Sequence, residues 1–92
     1  MEFNVESNRI YAVNEKGALI AEITYPDVDT DKVMINRTMV DDSLRGQGVA
    51  AKLAEMAYHE IKSRDKKAVV TCSYAVKWFD QNQEYQDILF KK

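Results

Sequence analysis

The 92 residues leave room for one small hydrophobic core, so a single domain spanning 1–92 is expected; 46% hydrophobic and 30% charged residues suit a folded globule and exclude a disordered chain. A formal net charge of -2 without a basic stripe argues against a nucleic-acid partner, and no apolar run nears the ~20 residues of a membrane span. One cysteine, Cys72, and one histidine, His59, exclude an internal disulfide and make a poor zinc site, so no metal is expected.

The opening MEFNVESNRI lacks the basic and apolar regions of a signal peptide, and a cytoplasmic protein is expected. FNVES and RIYAV alternate apolar and polar residues around Asn8, and NEKG at 14–17 reads as a hairpin turn. ALIAEITYP continues the sheet, with Leu19, Ala21, Ile23 and Tyr25 on one face and Ile20, Glu22 and Thr24 on the other. Pro26 and the acidic DVDTD end that strand and turn the chain into KVMINRTMV, the last strand of an antiparallel meander.

From residue 48 the apolar period changes from two to about 3.6. Leu53, Ala54, Ala57 and Ile61 share a sector with Ala50 and face the core, while Lys52, Glu55, His59 and Ser63 lie opposite, so His59 reads as a surface residue. SRDKK closes this helix. AVVTC follows as a wholly apolar strand, expected to be buried on both faces in the sheet interior. Ala75, Trp78, Phe79 and Asn82 then share the face of a second, short helix whose aromatics cover the core. DILF reads as an edge strand before two terminal lysines that discourage edge pairing. The fold class is α+β: an antiparallel N-terminal meander, a helix, a strand and a C-terminal helix. A right-handed crossover at 33–72 makes its two strands parallel.

LRGQGVAAKL at 44–53 sets Arg45, Gly46 and Gly48 against the start of the first helix. Backbone N–H groups there have no intrahelical acceptor, the helix end carries about half a positive charge, and glycines let an anion approach without meeting a Cβ. Arg45 adds a full charge and a planar fork of donors. The stretch therefore reads either as a plain turn or as a phosphate cradle. It has no GK[ST] of a P-loop and no G-x-G-x-x-G of a dinucleotide fold.

R-G-Q-G-V-A at 45–50, with Val40 upstream, resembles the pyrophosphate-binding R-x-x-G-x-[GA] motif of the GNAT superfamily of acyl-CoA-dependent N-acetyltransferases. CSYAVKWFDQNQEYQDIL at 72–89 is similar to the C-terminal signature of its minimal single-domain branch. The resemblance runs from AEITY at 21–25 to Leu89. It implies a GNAT-like mixed sheet that binds coenzyme A, with the pyrophosphate on backbone amides around Arg45, Gly46, Gln47, Gly48, Val49 and Ala50. The pantetheine is then expected where KVMINRTMV and AVVTC splay apart, paired with main-chain groups near Met39 and Val40.

Acetylating an amine requires a neutral nitrogen, and deprotonating a lysine-like amine at pH 7 costs about 4.6 kcal/mol, so a base or water relay is needed. Cys72, at the end of the second parallel strand, reads as a transient nucleophile or proton carrier, or else as a small buried hydrophobe. Tyr74 reads as a proton donor to a leaving thiolate or as a packing residue. Glu22 reads as a base if partly buried, or as a solvent-facing carboxylate. Where the branch commonly carries His-Thr this chain has Arg37-Thr38; a guanidinium stays charged, so Arg37 is suited to holding an acidic substrate group or the cofactor instead of acting as a base. Asn82-Gln83 replaces a frequent His-Pro pair and alters the turn. Trp78, Phe79 and Tyr85 read as core.

The expected function is acetyl-CoA-dependent transfer of an acetyl group to a primary amine, by direct attack in a ternary complex, in a monomer whose acceptor is a small amine or a protein or peptide amine. The alternatives are a coenzyme A binding module with little catalysis and an interaction domain without a ligand.

Overall fold

A computed structural model describes residues 1–90 of the chain. β1 (Asn4–Glu6), β2 (Arg9–Val13) and β3 (Leu19–Thr24) form the expected meander. The hairpin between β2 and β3 is fixed by Asn14, whose side-chain oxygen accepts from the Lys16 and Ala18 N–H groups at 2.9 and 3.0 Å. Asn14 also accepts through its carbonyl from Gly17 N–H at 2.9 Å, and Gly17 takes the positive φ of +81° that the turn needs.

Asp27–Asp29, expected within a turn, forms the short exposed strand β4, paired antiparallel with β5 (Lys32–Ile35). The span KVMINRTMV is two strands: β5 pairs in parallel with β7 (Lys67–Val70), while β6 (Arg37–Val40) pairs antiparallel with β3. The break falls at Asn36, whose side-chain oxygen accepts from the Thr24 hydroxyl at 2.6 Å. One sheet therefore runs β1-β2-β3-β6 and the other β4-β5-β7. The inward-facing positions switch parity here, from Val33 and Ile35 before Asn36 to Thr38 and Val40 after it, with Arg37 turned outward.

α1 (Val49–Ser63) follows β6 through a short 3-10 turn at Asp42–Leu44. Leu53, Ala54, Ala57 and Ile61 are buried as its period requires, Tyr58 joins them, and His59 is exposed. They pack on Ile10, Ala12, Ala21 and Ile23 from β2 and β3, on Val33 and Ile35 from β5, and on Trp78 and Phe79 of α2 (Ser73–Gln81), all in one core.

AVVTC is less enclosed than expected. β7 is an edge strand, only Ala68 is fully buried, and Val69 and Val70 are half-buried. DILF is also corrected. Asp87 and Ile88 end a 3-10 turn over Gln83–Ile88, and only Leu89 makes a bridge to Ala68, with Phe90 N–H donating to Ala68 C=O at 2.8 Å. A buried Ile88 beside an exposed Asp87 suits a turn as well as a strand, and four residues are too few for the pattern to choose. The terminal Lys91 and Lys92 lie outside the described residues. Among the described residues no helix is long and apolar enough to cross a membrane, and no cluster of His, Cys, Asp and Glu is placed to hold a metal ion.

Candidate active site

The first turn of α1 is left open by its cap. Gly48 occupies the N-cap position with φ +72° and ψ 19°, and having no side chain it offers no acceptor to the turn. A serine or aspartate there would bond an N–H of the first turn. Among the described residues, the N–H groups of Gly46, Gly48, Val49, Ala50 and Ala51 have no acceptor; the regular ladder begins with Lys52 N–H to Gly48 C=O at 3.0 Å. Gly46 and Gly48 both take positive φ, and a Cβ on either would meet no atom within 4 Å. The space in front of these amides is therefore clear.

These residues line a cleft of about 260 Å³ that also takes in Val40, Leu44, Arg45 and Tyr74. The Arg45 guanidinium is largely exposed and is paired with Asp42 at 2.9 Å, an exposed pair that costs little to open. Asp41 also lines the cleft, and its carboxylate accepts from Ser43 N–H at 3.0 Å. Gln47 is exposed and its amide donates to Ser43 C=O at 3.5 Å, outside the cleft lining.

The cleft continues where the two sheets part. Thr71 and Cys72 N–H groups donate to Ile35 C=O at 3.0 and 3.2 Å, the last bonds between the parallel strands before the chain turns into β6. Asp41 N–H donates to Ile20 C=O at 2.7 Å, so by antiparallel alternation the main chain of Met39 faces β3 and that of Thr38 and Val40 faces the gap. Cys72, the N-cap residue of α2, sits at this gap with its Sγ 3.5 Å from the Thr38 hydroxyl. Burial pushes the Cys72 thiol up, but the Thr38 hydroxyl and the N–H groups of Ala75, Tyr74 and Thr38 outweigh it and leave the thiol below its ordinary value. Tyr74 moves the other way, raised by burial and by the nearby Cys72 sulfur, so its phenol holds its proton.

Glu22 is set apart from this group. It projects from the opposite face of the sheet, where it is the buried charged side chain of the described residues, accepting from Arg9 Nε and lying 3.8 Å from Arg37 Nη1. Trp78 and Phe79 are core residues, and Tyr85 stacks on Trp78 at 5.0 Å between ring centroids. Two partners escaped the sequence reading. Thr38 lies 34 positions from Cys72 and Arg9 lies 13 from Glu22, so neither contact leaves a local pattern.

Residues 9–88 match the family model for GCN5-related N-acetyl-transferases. The protein NATD1 of Xenopus tropicalis is 36% identical over 62 residues, covering 67% of this chain and 57% of that protein, so the chain spans little more than half the length of this relative. The NMR solution structure of a GCN5-like protein from Staphylococcus aureus matches with a TM-score of 0.81 at 31% identity, over 99% of this chain and 89% of that one. YhbS, a GNAT family N-acetyltransferase from Escherichia coli in complex with CoA, shares the fold at a TM-score of 0.62 and 23% identity, over 75% of this chain and 42% of that one. The family match runs from the first residue of β2 to the end of the last 3-10 turn, and the chain belongs to the GCN5-related N-acetyltransferase family.

Proposed function

We propose that the protein, acting as one domain, transfers an acetyl group from acetyl-CoA to a primary amine by direct attack in a ternary complex. The observation that carries this reading is the open first turn of α1, where the unpartnered amides of Gly46, Gly48, Val49, Ala50 and Ala51 face a clear cleft beside Arg45. Such a set of donors fits a diphosphate. The relatives of this fold include one solved with CoA.

In this reading the amides at Gly46, Gly48, Val49, Ala50 and Ala51 hold the diphosphate, with Arg45 released from Asp42 to join them. The main chain of Val40 and Thr38, facing the gap, pairs with the pantetheine arm and supplies fixed donors for a developing oxyanion. Acetyl-CoA, when bound, supplies the acetyl group as a thioester. The protonated Tyr74 phenol is suited to donate to a departing thiolate, and Cys72, in the thiolate form that the Thr38 hydroxyl and the N–H groups at the start of α2 favour, is suited to take up a proton from the amine.

A second reading, coenzyme A binding with little turnover, is favoured by one observation. Glu22, the buried carboxylate, is engaged by Arg9 on the face away from Cys72, which leaves it poorly placed as a base. Both readings require binding, so turnover separates them. Release of free thiol from acetyl-CoA, followed over a panel of primary amines, is expected for the enzyme and is lost or strongly reduced in Tyr74→Phe combined with Cys72→Ala. Stabilisation by acetyl-CoA, about 2.7 kcal/mol at 100 times its dissociation constant, without turnover of any amine selects the binding module. No stabilisation rejects both.

A further inference from the structure

Alternation along β6 gives its side chains two destinations. Thr38 meets Cys72 and Val40 packs against the core, so Arg37 and Met39 project from the other face. Register sets Tyr11, Glu22 and Met39 in one cross-strand row and Arg9, Thr24 and Arg37 in the next. This face carries no helix, because the buried residues of α1 and α2 all belong to the single core on the opposite side.

A carboxylate buried on such a face is costly unless it is paired. Arg9 supplies the pairing: its Nε donates to Glu22, its Nη1 lies 3.4 Å from Glu6, and its guanidinium stacks 3.8 Å above the Tyr11 ring. Arg37 is used differently. It approaches Glu22 only to 3.8 Å, beyond hydrogen bonding, its side chain is 60% exposed, and it makes no other ion pair or hydrogen bond among the described residues. Glu22 holds it loosely from below while the planar fork of donors stays open to solvent.

The position of that fork gives it a use. Arg37 immediately precedes Thr38, whose hydroxyl lies 3.5 Å from Cys72 Sγ at the point where β6 and β7 part. An amine that enters this gap from the helix-free face does so on the side of β6 from which Arg37 projects. Resting on the acetyltransferase reading above, we propose that Arg37 is a specificity-determining residue that receives a carboxylate carried by the acceptor. Glu22 is then the positioning residue beneath it. The acceptor class is a small amino acid whose amine enters the gap while its carboxylate makes paired hydrogen bonds to the guanidinium.

The test uses the full chain with acetyl-CoA and three amino acids of increasing amine-to-carboxylate separation, glycine, β-alanine and 4-aminobutyrate, each compared with its amide. The wild type is expected to favour at least one acid over its amide by tenfold or more in kcat/KM, with the difference in KM. Arg37→Ala abolishes that preference by raising KM for the acid while leaving the amide unchanged, and Arg37→Lys restores part of it. A wild type that treats every acid and amide alike, or a preference that survives Arg37→Ala, overturns the proposal. If none of the six is acetylated while acetyl-CoA still stabilises the protein, the carboxylate site is rejected and cofactor binding stands. Absence of that stabilisation removes the acetyltransferase reading as well.

Discussion

Gly48 holds φ +72° with open space where a Cβ would stand, so within the folded chain its requirement is conformational, not spatial. An L side chain in that region costs about 1–2 kcal/mol. Gly17, at φ +81° in the hairpin and equally unobstructed, makes a matched control far along the chain from the cleft. Urea unfolding is expected to show a similar stability loss for Gly17→Glu and Gly48→Glu, whereas calorimetric titration with coenzyme A shows at least a tenfold weaker dissociation constant for Gly48→Glu alone. Equal coenzyme A affinity in the two variants would detach Gly48 from binding. Cys72 offers a second handle at this scale. Its thiol lies below the ordinary value because hydrogen bonds from Thr38 and from the start of α2 overcome the opposing effect of burial. The iodoacetamide alkylation rate should rise through a midpoint below that of free cysteine, and Thr38→Val should move the midpoint upward; a midpoint unaffected by Thr38→Val would remove the hydroxyl from the explanation. Gly46, Gly48, Cys72 and Tyr74 were legible because each sits at a local junction of strand and helix. Thr38 and Arg9 were not, because their contacts depend on register and on the crossover.

Between elements, α1 is tied to the last 3-10 turn by three side chains. The Tyr58 hydroxyl donates to Asp87 at 2.7 Å, Lys62 Nζ lies 2.8 Å from the other Asp87 oxygen, and Lys62 also donates to the Tyr58 hydroxyl at 3.1 Å. The Asp87 carboxyl is held below its ordinary value, chiefly by Lys62 and then by Tyr58. Because the folded value lies below the unfolded one, the stabilisation is fully present above the unfolded value of about 3.9 and is lost as pH falls through the folded value. The stability difference between wild type and Asp87→Asn, measured by urea unfolding, should therefore be present at pH 7 and shrink below about pH 4. A difference that stays constant from pH 7 to pH 3 would show that the carboxylate charge is not its source. This tie explains why DILF turns instead of extending: Asp87 is drawn back to α1, leaving Leu89 to reach β7. Long periodic elements such as α1 were readable from sequence, while DILF and DVDTD, with too few residues to establish a period, took their form from tertiary partners.

At the scale of the molecule, the two sheets share one continuous stretch of chain, Lys32 to Val40, and their divergence at Asn36 makes the gap between β6 and β7. The open end of α1 lies at one end of this gap and Cys72 at the other, with Arg37 on the helix-free face. The α+β class and the parallel crossover followed from the change of period at residue 48 and the handedness of strand-helix-strand units. The change of partner within KVMINRTMV did not, because the switch of the inward face from Val33 and Ile35 to Thr38 and Val40 marks a break in the strand without naming the new partner. The central claim is that the amides at the start of α1 bind the diphosphate of coenzyme A. It is tested most directly by ¹H–¹⁵N spectra of the labelled protein during a coenzyme A titration: saturable shifts are expected for Gly46, Gly48, Val49, Ala50 and Ala51, with Gly17 and Asp87 unmoved, and unchanged amides across 46–51 at excess coenzyme A would contradict it.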